Sequence, residues 1–133
     1  EEAGLVGSSY YAAHPVFPLQ QIKFLINMDM MGDATNGITV VNAPANGQEY
    51  KLLEEINRKN DYLPAVVARS QTKNSDHYPF SEKGAPAVYI YTNGIKPFYH
   101  DTRDTAGEVN FENADGVWKL LGDFLAAYLQ DVP

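Results

Sequence analysis

The sequence predicts an α/β protein with a mixed, mainly parallel sheet and helices on both faces. Helical patterns alternate with short apolar strand patterns along the 133 residues, as expected for a layered α/β sheet. Residues 22–31 (IKFLINMDMM) are almost continuously apolar, which is typical of a strand buried on both faces. No repeat or linker divides the chain, so it is interpreted as one domain or a large piece of one.

The first two elements are a helix and a strand. Residues 3–14 favour a helix of mixed polarity, and Pro15 follows where that helix must end. The apolar run at 22–31 predicts the first strand, and Gly32 closes it.

A second strand and a longer helix come next. The Asn36-Gly37 pair is a turn signal and precedes a short apolar strand at 38–41. Residues 47–60 predict a helix, because apolar side chains recur along one face and the rest of the segment is charged.

The second half alternates in the same way. Residues 65–68 predict a strand, and a short helix runs from Ser75 or Asp76 to Lys83, just before Gly84. Residues 87–91 predict a β-branched and aromatic strand. After a long loop at 93–108, residues 111–130 carry the apolar stripe of a closing helix.

Composition excludes several classes of partner and site. The net charge is −7 and Lys and Arg form no dense run, which argues against nucleic acid, because its binding depends on neutralising phosphates. No apolar stretch approaches the roughly 20 residues that a membrane span needs. Because the chain has no cysteine, any metal must bind to His, Asp or Glu.

Chemically active side chains lie beside the predicted strand ends. Open α/β sheets form their sites outside the carboxyl ends of their strands. We expect polar groups at such positions to meet at one edge of the sheet and to form a plausible metal site. The candidates are Glu1 and Glu2, Asp29, Asp76 and His77, and Tyr99 and His100.

Each candidate also has a structural explanation. The Glu1–Glu2 pair suits the positive end of the first helix dipole. Asp29, an acid within an apolar strand, is either a ligand or the partner of a buried hydrogen bond. His77 is alternatively a polar residue at a helix start, and His100 an ordinary loop residue.

Four blocks in order resemble the bimetallic zinc aminopeptidase family: EEAGLVGSSYYAAHP, INMDMMG, SDHYPFSEKGAPAVYIYT and FYHDTRDT. That family includes relatives of leucine aminopeptidase, glutamate carboxypeptidase, the transferrin receptor and glutaminyl cyclase. The resemblance covers residues 1–105 and the final helix. It implies a zinc-exopeptidase-like fold and an aminopeptidase that removes N-terminal residues from peptides.

The resemblance also implies a role for each candidate. Glu1 matches the general base that takes a proton from a metal-bound water. Glu2 and His100 match ligands of one zinc, and Asp29 matches a ligand of the second.

Three further residues match positions around the substrate. Tyr99 corresponds to a hydroxyl near the tetrahedral intermediate, and Asp76 to the substrate end of the pocket, with His77 beside it. Asp104 is expected to support the loop that holds His100.

Family members carry a His-x-Asp motif and a bridging Asp ahead of the Glu-Glu pair. The chain is therefore expected to be the C-terminal part (1–133) of a single catalytic domain that is incomplete at its N-terminus. On this interpretation the parent binds two zinc ions, while the chain itself is inactive and binds zinc poorly. An exposed sheet edge would allow self-association.

Two alternatives remain open. One is a glutaminyl-peptide cyclotransferase that uses one zinc on a similar scaffold. The other is a non-catalytic peptidase-like domain. The resemblance also implies a secreted, periplasmic or cell-envelope location.

Overall fold

The structure is a computed structural model that describes residues 1–96 and 98–131. Within these residues one sheet has the strand order β1-β4-β2-β3. β1 pairs in parallel with β4, β2 pairs in parallel with β3, and β2 and β4 are antiparallel. The mixed, mainly parallel sheet is thus confirmed. The strands are Leu25–Met28 (β1), Ile38–Val41 (β2), Val66–Arg69 (β3) and Ala87–Thr92 (β4).

Helices cover both faces of this sheet, as predicted. The α-helices are Val6–Ala13 (α1), Gly47–Asn60 (α2), Tyr78–Glu82 (α3) and Ala114–Asp131 (α4). Short 3₁₀ turns at Leu19–Gln21, Ala43–Asn46 and Ala106–Glu108 were not predicted. None of the helices within the described ranges is long and apolar enough to cross a membrane.

The core lies between the sheet and the α2–α4 layer. Successive strand residues point to opposite faces, so Ile38 and Val40 of β2 enter this core while Thr39 between them does not. Phe124 of α4 and Leu53 of α2 are both fully buried there. α1 and α3 pack together, and α3 contacts β4.

One prediction about β1 is wrong. β1 is an edge strand of the described sheet, because it pairs with β4 on one side and with no described strand on the other. Leu25, Ile26 and Asn27 are therefore half-buried, and Met28 is 46% exposed. The strand is also shorter than the 22–31 run, since Met30 takes a positive φ of 55° that extended backbone does not allow.

The strand directions correct a second expectation. β2 and β3 run antiparallel to β4. The carboxyl end of β3 therefore lies at the opposite end of the sheet from the carboxyl ends of β1 and β4. Asp76 and His77 therefore do not follow a strand end on the Asp29 side. Their segment returns toward β1 instead, where the Asn27 amide donates to Ser75 Oγ at 2.7 Å.

Candidate active site

The carboxyl ends of β1 and β4 position Asp29. Its backbone N–H donates to the Ile90 carbonyl at 3.2 Å, which places the residue directly after β1 with its side chain half-buried. The next carbonyl, that of Met30, accepts from Thr92 Oγ1 at 2.8 Å. β4 therefore holds the strained left-handed turn that follows Asp29.

Three other acids, Asp29 among them, influence the charge of Glu1. Partial desolvation raises the pKa of the Glu1 carboxyl, and the negative charges of Glu2, Asp29 and Asp76 raise it further. Burial likewise raises the pKa of Tyr89, with further contributions from Asp29 and Glu1 among its neighbours. The structure thus brings Glu2, Asp29 and Asp76 within electrostatic reach of Glu1.

Asp76 and His77 differ in exposure although they are adjacent. Asp76 is half-buried, and His77 is fully buried with its ring centroid 5.7 Å from that of Tyr89. Burial lowers the pKa of His77. Among the described residues, Asp76 Oδ1 and both His77 ring nitrogens are buried without a hydrogen-bond partner. Asp76 therefore contributes negative charge near Glu1, whereas the adjacent His77 lies in the protein interior beside Tyr89.

Tyr99 and His100 occupy an exposed loop after β4. Their rings stack with centroids 4.0 Å apart, and His100 has a φ of 59°. The Asp101 carboxylate organises the next turn by accepting from the Arg103 backbone N–H and Nε, both at 2.9 Å. Asp104 contributes a backbone N–H donated to the Asp101 carbonyl at 3.0 Å.

The donor chemistry fits zinc, but the number of donors in reach does not. Carboxylate oxygens and imidazole nitrogen are ordinary zinc ligands. Within residues 1–96 and 98–131, however, no three His, Asp or Glu side chains lie close enough together to hold a metal ion. Glu2, Asp29 and His100 therefore do not form a complete zinc site by themselves.

An open pocket of about 360 Å³ begins at Met30, the residue after Asp29. It is formed by the loop after β1, the loop after β4 and the segment before α4, and Tyr99 and Asp104 are in its wall. The apolar part of the wall consists of Met30, Met31, Ile95, Phe98, Val109 and Phe111.

Two residues at this pocket were missed from the sequence. Asp33 is 3% exposed and accepts hydrogen bonds from three segments. Its spacing to Thr35 is that of an Asx turn, a signal that could have indicated it. Lys96 donates from Nζ to the Thr92 carbonyl at 2.6 Å and lies over the Tyr91 ring. Burial lowers the pKa of Lys96.

The family model described as Peptidase family M28 matches residues 1–125. This covers nearly the whole chain. The protein therefore belongs to Peptidase family M28.

Relatives in sequence or in fold include proteins with two different named activities. A probable leucine aminopeptidase of Arthroderma otae is 25% identical over 96% of this chain and 37% of its own length. A zinc aminopeptidase from Bacillus subtilis has a TM-score of 0.78 at 21% identity, covering 96% of this chain and 33% of that one. An Acidobacteriales bacterium glutaminyl cyclase has a TM-score of 0.77 at 21% identity, covering 96% and 47%. The chain thus spans between about a third and a half of each relative's length.

Proposed function

We propose that this chain is the carboxyl-terminal part of the catalytic domain of a zinc aminopeptidase that removes N-terminal residues from peptides. The observation that carries the proposal is the set of acids that act on Glu1, in a chain of Peptidase family M28 whose apolar pocket begins at Met30, the residue after Asp29. Carboxylates would bind metal and the substrate's free amine, and the pocket would accept an apolar side chain.

Glu1 is the proposed general base. It would take a proton from the attacking water and deliver it to the leaving amine. Its raised pKa supports this role, because a base works best when its pKa approaches the working pH. Asp76 would face the substrate, with His77 supporting it from beneath, and Tyr99 would lie near the reacting carbonyl.

Glu2, Asp29 and His100 are the proposed metal ligands, Glu2 and His100 for one zinc and Asp29 for a second. When bound, zinc would lower the pKa of a water molecule and polarise a carbonyl. Since a catalytic zinc normally has three protein ligands, further ligands must come from outside the described residues. On the same basis, the 133-residue chain alone would bind zinc poorly and be inactive.

The test uses a protein of the relatives' length that contains this chain. With zinc it should release p-nitroaniline from leucine p-nitroanilide, and chelation should abolish that activity. Cyclisation of an N-terminal glutamine peptide without anilide release would establish the cyclotransferase instead. Absence of both reactions in a folded, zinc-loaded protein would favour a non-catalytic domain.

A parallel test uses the 133-residue chain. Calorimetric titration with zinc should show weak binding, and the anilide assay should show no turnover. Tight binding of two zinc ions with turnover would refute the incomplete-site proposal.

Self-association and location belong to the same proposal. The free side of β1 could pair with the same strand of a second copy, and light scattering at increasing concentration would detect this. A secreted, periplasmic or cell-envelope location is proposed from the family resemblance, and fractionation of the source cells would test it.

A further inference from the structure

A single buried carboxylate joins the three segments that form the pocket. Asp33 Oδ1 accepts from the Thr35 backbone N–H at 2.8 Å and from the Thr35 hydroxyl. Asp33 Oδ2 accepts from the Ile95 backbone N–H at 3.0 Å and from Asn110 Nδ2 at 3.4 Å. The donors therefore come from the loop after β1, the loop after β4 and the segment before α4.

The same segments are packed too closely to admit larger residues. A Cβ at Gly94 would overlap the Asp33 side chain, and one at Gly32 would lie 3.1 Å from the Asn110 carbonyl. In addition, the Ala34 N–H donates to the Glu112 carbonyl at 2.8 Å. The spacing of the segments is thus set by contacts around Asp33.

Each segment carries part of the apolar pocket wall. Met30 and Met31 come from the first, Ile95 from the second, and Val109 from the third. A change in the distance between segments would therefore change the width of the pocket directly.

We propose that Asp33 is a positioning residue that sets the width of this pocket and hence the size of the apolar N-terminal side chain that the enzyme accepts. This inference rests on the proposed aminopeptidase function.

Asp33→Asn is the most informative substitution. An amide has one acceptor oxygen and one NH₂ donor. The NH₂ group would therefore face the hydrogen-bond donors that one of the two carboxylate oxygens of Asp33 now accepts from. Asp61→Asn is the matched control, because it removes the same charge from an exposed residue at the end of α2, which does not line this pocket.

The first readout is structural and needs no activity. The chain has three methionines: Met30 and Met31 line the pocket, while Met28 is an exposed internal reference. With ¹³C-methyl methionine, Asp33→Asn should shift the Met30 and Met31 NMR signals and leave that of Met28 unchanged. Unchanged Met30 and Met31 signals in a folded variant would overturn the proposal.

The second readout is specificity in the zinc-loaded protein of the relatives' length. Asp33→Asn should lower the ratio of kcat/KM for leucine p-nitroanilide to that for alanine p-nitroanilide by roughly tenfold, a change within the range that one apolar group in a pocket contributes to specificity. The change should come mainly from KM, with zinc content unchanged. An equal loss on both substrates would show that Asp33 has only a structural role.

The two proposals fail in different ways. Absence of anilide hydrolysis by the unsubstituted protein would refute the aminopeptidase, and the methionine signals would still test the role of Asp33 in shaping the pocket. If Asp33→Asn does not fold, Asn110→Ala is the second test. It keeps three of the four hydrogen bonds to Asp33 and removes the longest, together with the bond that Asn110 Oδ1 accepts from the Glu112 N–H at 3.1 Å. Asn110→Ala should shift the Met30 and Met31 signals by a measurable amount, and no shift would overturn the proposal.

Discussion

Asp29 and Asp33 belong to the same loop after β1, but they bond differently. Asp33 is 3% exposed, and four hydrogen bonds use both of its oxygens. Asp29 is half-buried, and its carboxylate forms no hydrogen bond with any residue in 1–96 or 98–131. It interacts instead with the negative charge of Glu1 and with Tyr89.

This difference in hydrogen bonding distinguishes two roles of a carboxylate side chain, one in stability and one in function. A carboxylate whose oxygens are occupied by donors of its own chain stabilises the fold. A carboxylate that faces other acids is unfavourable for the fold, because like charges raise one another's pKa. Such a residue is a candidate for binding a cation or acting as a base. Glu1 is of this second kind, and Asp29 is one of the acids that act on it.

The largest expected effect tests that division at Glu1. In the zinc-loaded protein of the relatives' length, Glu1→Gln should lower turnover about 10²- to 10⁴-fold, because only the proton transfer is removed. Zinc content and the urea midpoint should stay the same. Glu55→Gln, on the exposed side of α2, is the control. Retained turnover in Glu1→Gln would end the assignment of Glu1 as the base.

Stability distinguishes the two aspartates directly. Asp33→Ala should lower the free energy of unfolding by about 2–4 kcal/mol, because it leaves buried donors without acceptors. Asp29→Ala should change it by no more than about 0.5 kcal/mol. Urea denaturation of the chain measures both. A similar loss of stability in the two variants would contradict the distinction between Asp33 and Asp29.

His77 gives a smaller, pH-dependent effect. Its pKa is lowered by burial, so the unfolded chain takes up a proton as pH falls through about 6.5 while the folded chain does not. The contribution of His77 to the free energy of unfolding is therefore fully present above this pH. It decreases below this pH, by at most about 1.4 kcal/mol per pH unit.

Urea midpoints at about pH 7.5 and about pH 5.5, on either side of the unperturbed histidine pKa, measure the decrease. His77→Phe should remove most of it, whereas His14→Gln, at an exposed position, should preserve it. An identical pH dependence in His77→Phe and the unsubstituted chain would contradict the assignment to His77.

The smallest effect concerns Glu1 itself. Without metal, Asp29→Asn should lower the pKa of Glu1, because it removes one of the negative charges that raise it. Glu2→Gln should lower it more, since the influence of Glu2 is greater than that of Asp29. NMR titration of the ¹³C-labelled Glu1 carboxyl measures both changes, and the reverse order would show that Asp29 is the nearer charge.

Much of the secondary structure could be predicted because it depends on local patterns. The helix at 47–60 and the strand at 38–41 match α2 and β2 to the residue, since an apolar stripe or run and a preceding turn residue specify each. Asp29 was also recognisable as unusual, because an acid beside an apolar run is costly unless it has a partner.

Four features could be recognised from the amino-acid sequence alone: the alternation of elements, the α/β class, the absence of thiolate ligands and the family resemblance. Three features required the folded structure to be recognised: β2 and β3 run against β4, β1 lies at an edge of the described sheet, and the segment of Asp76 returns to β1, where Ser75 accepts a hydrogen bond from Asn27. The tertiary structure also decided that Asp33 rather than Asp29 is the hydrogen-bonded acid. Strand direction depends on pairing between distant segments, and the hydrogen bonding of Asp33 depends on partners far away in the chain, such as Ile95 and Asn110. A local sequence pattern carries no information about such contacts.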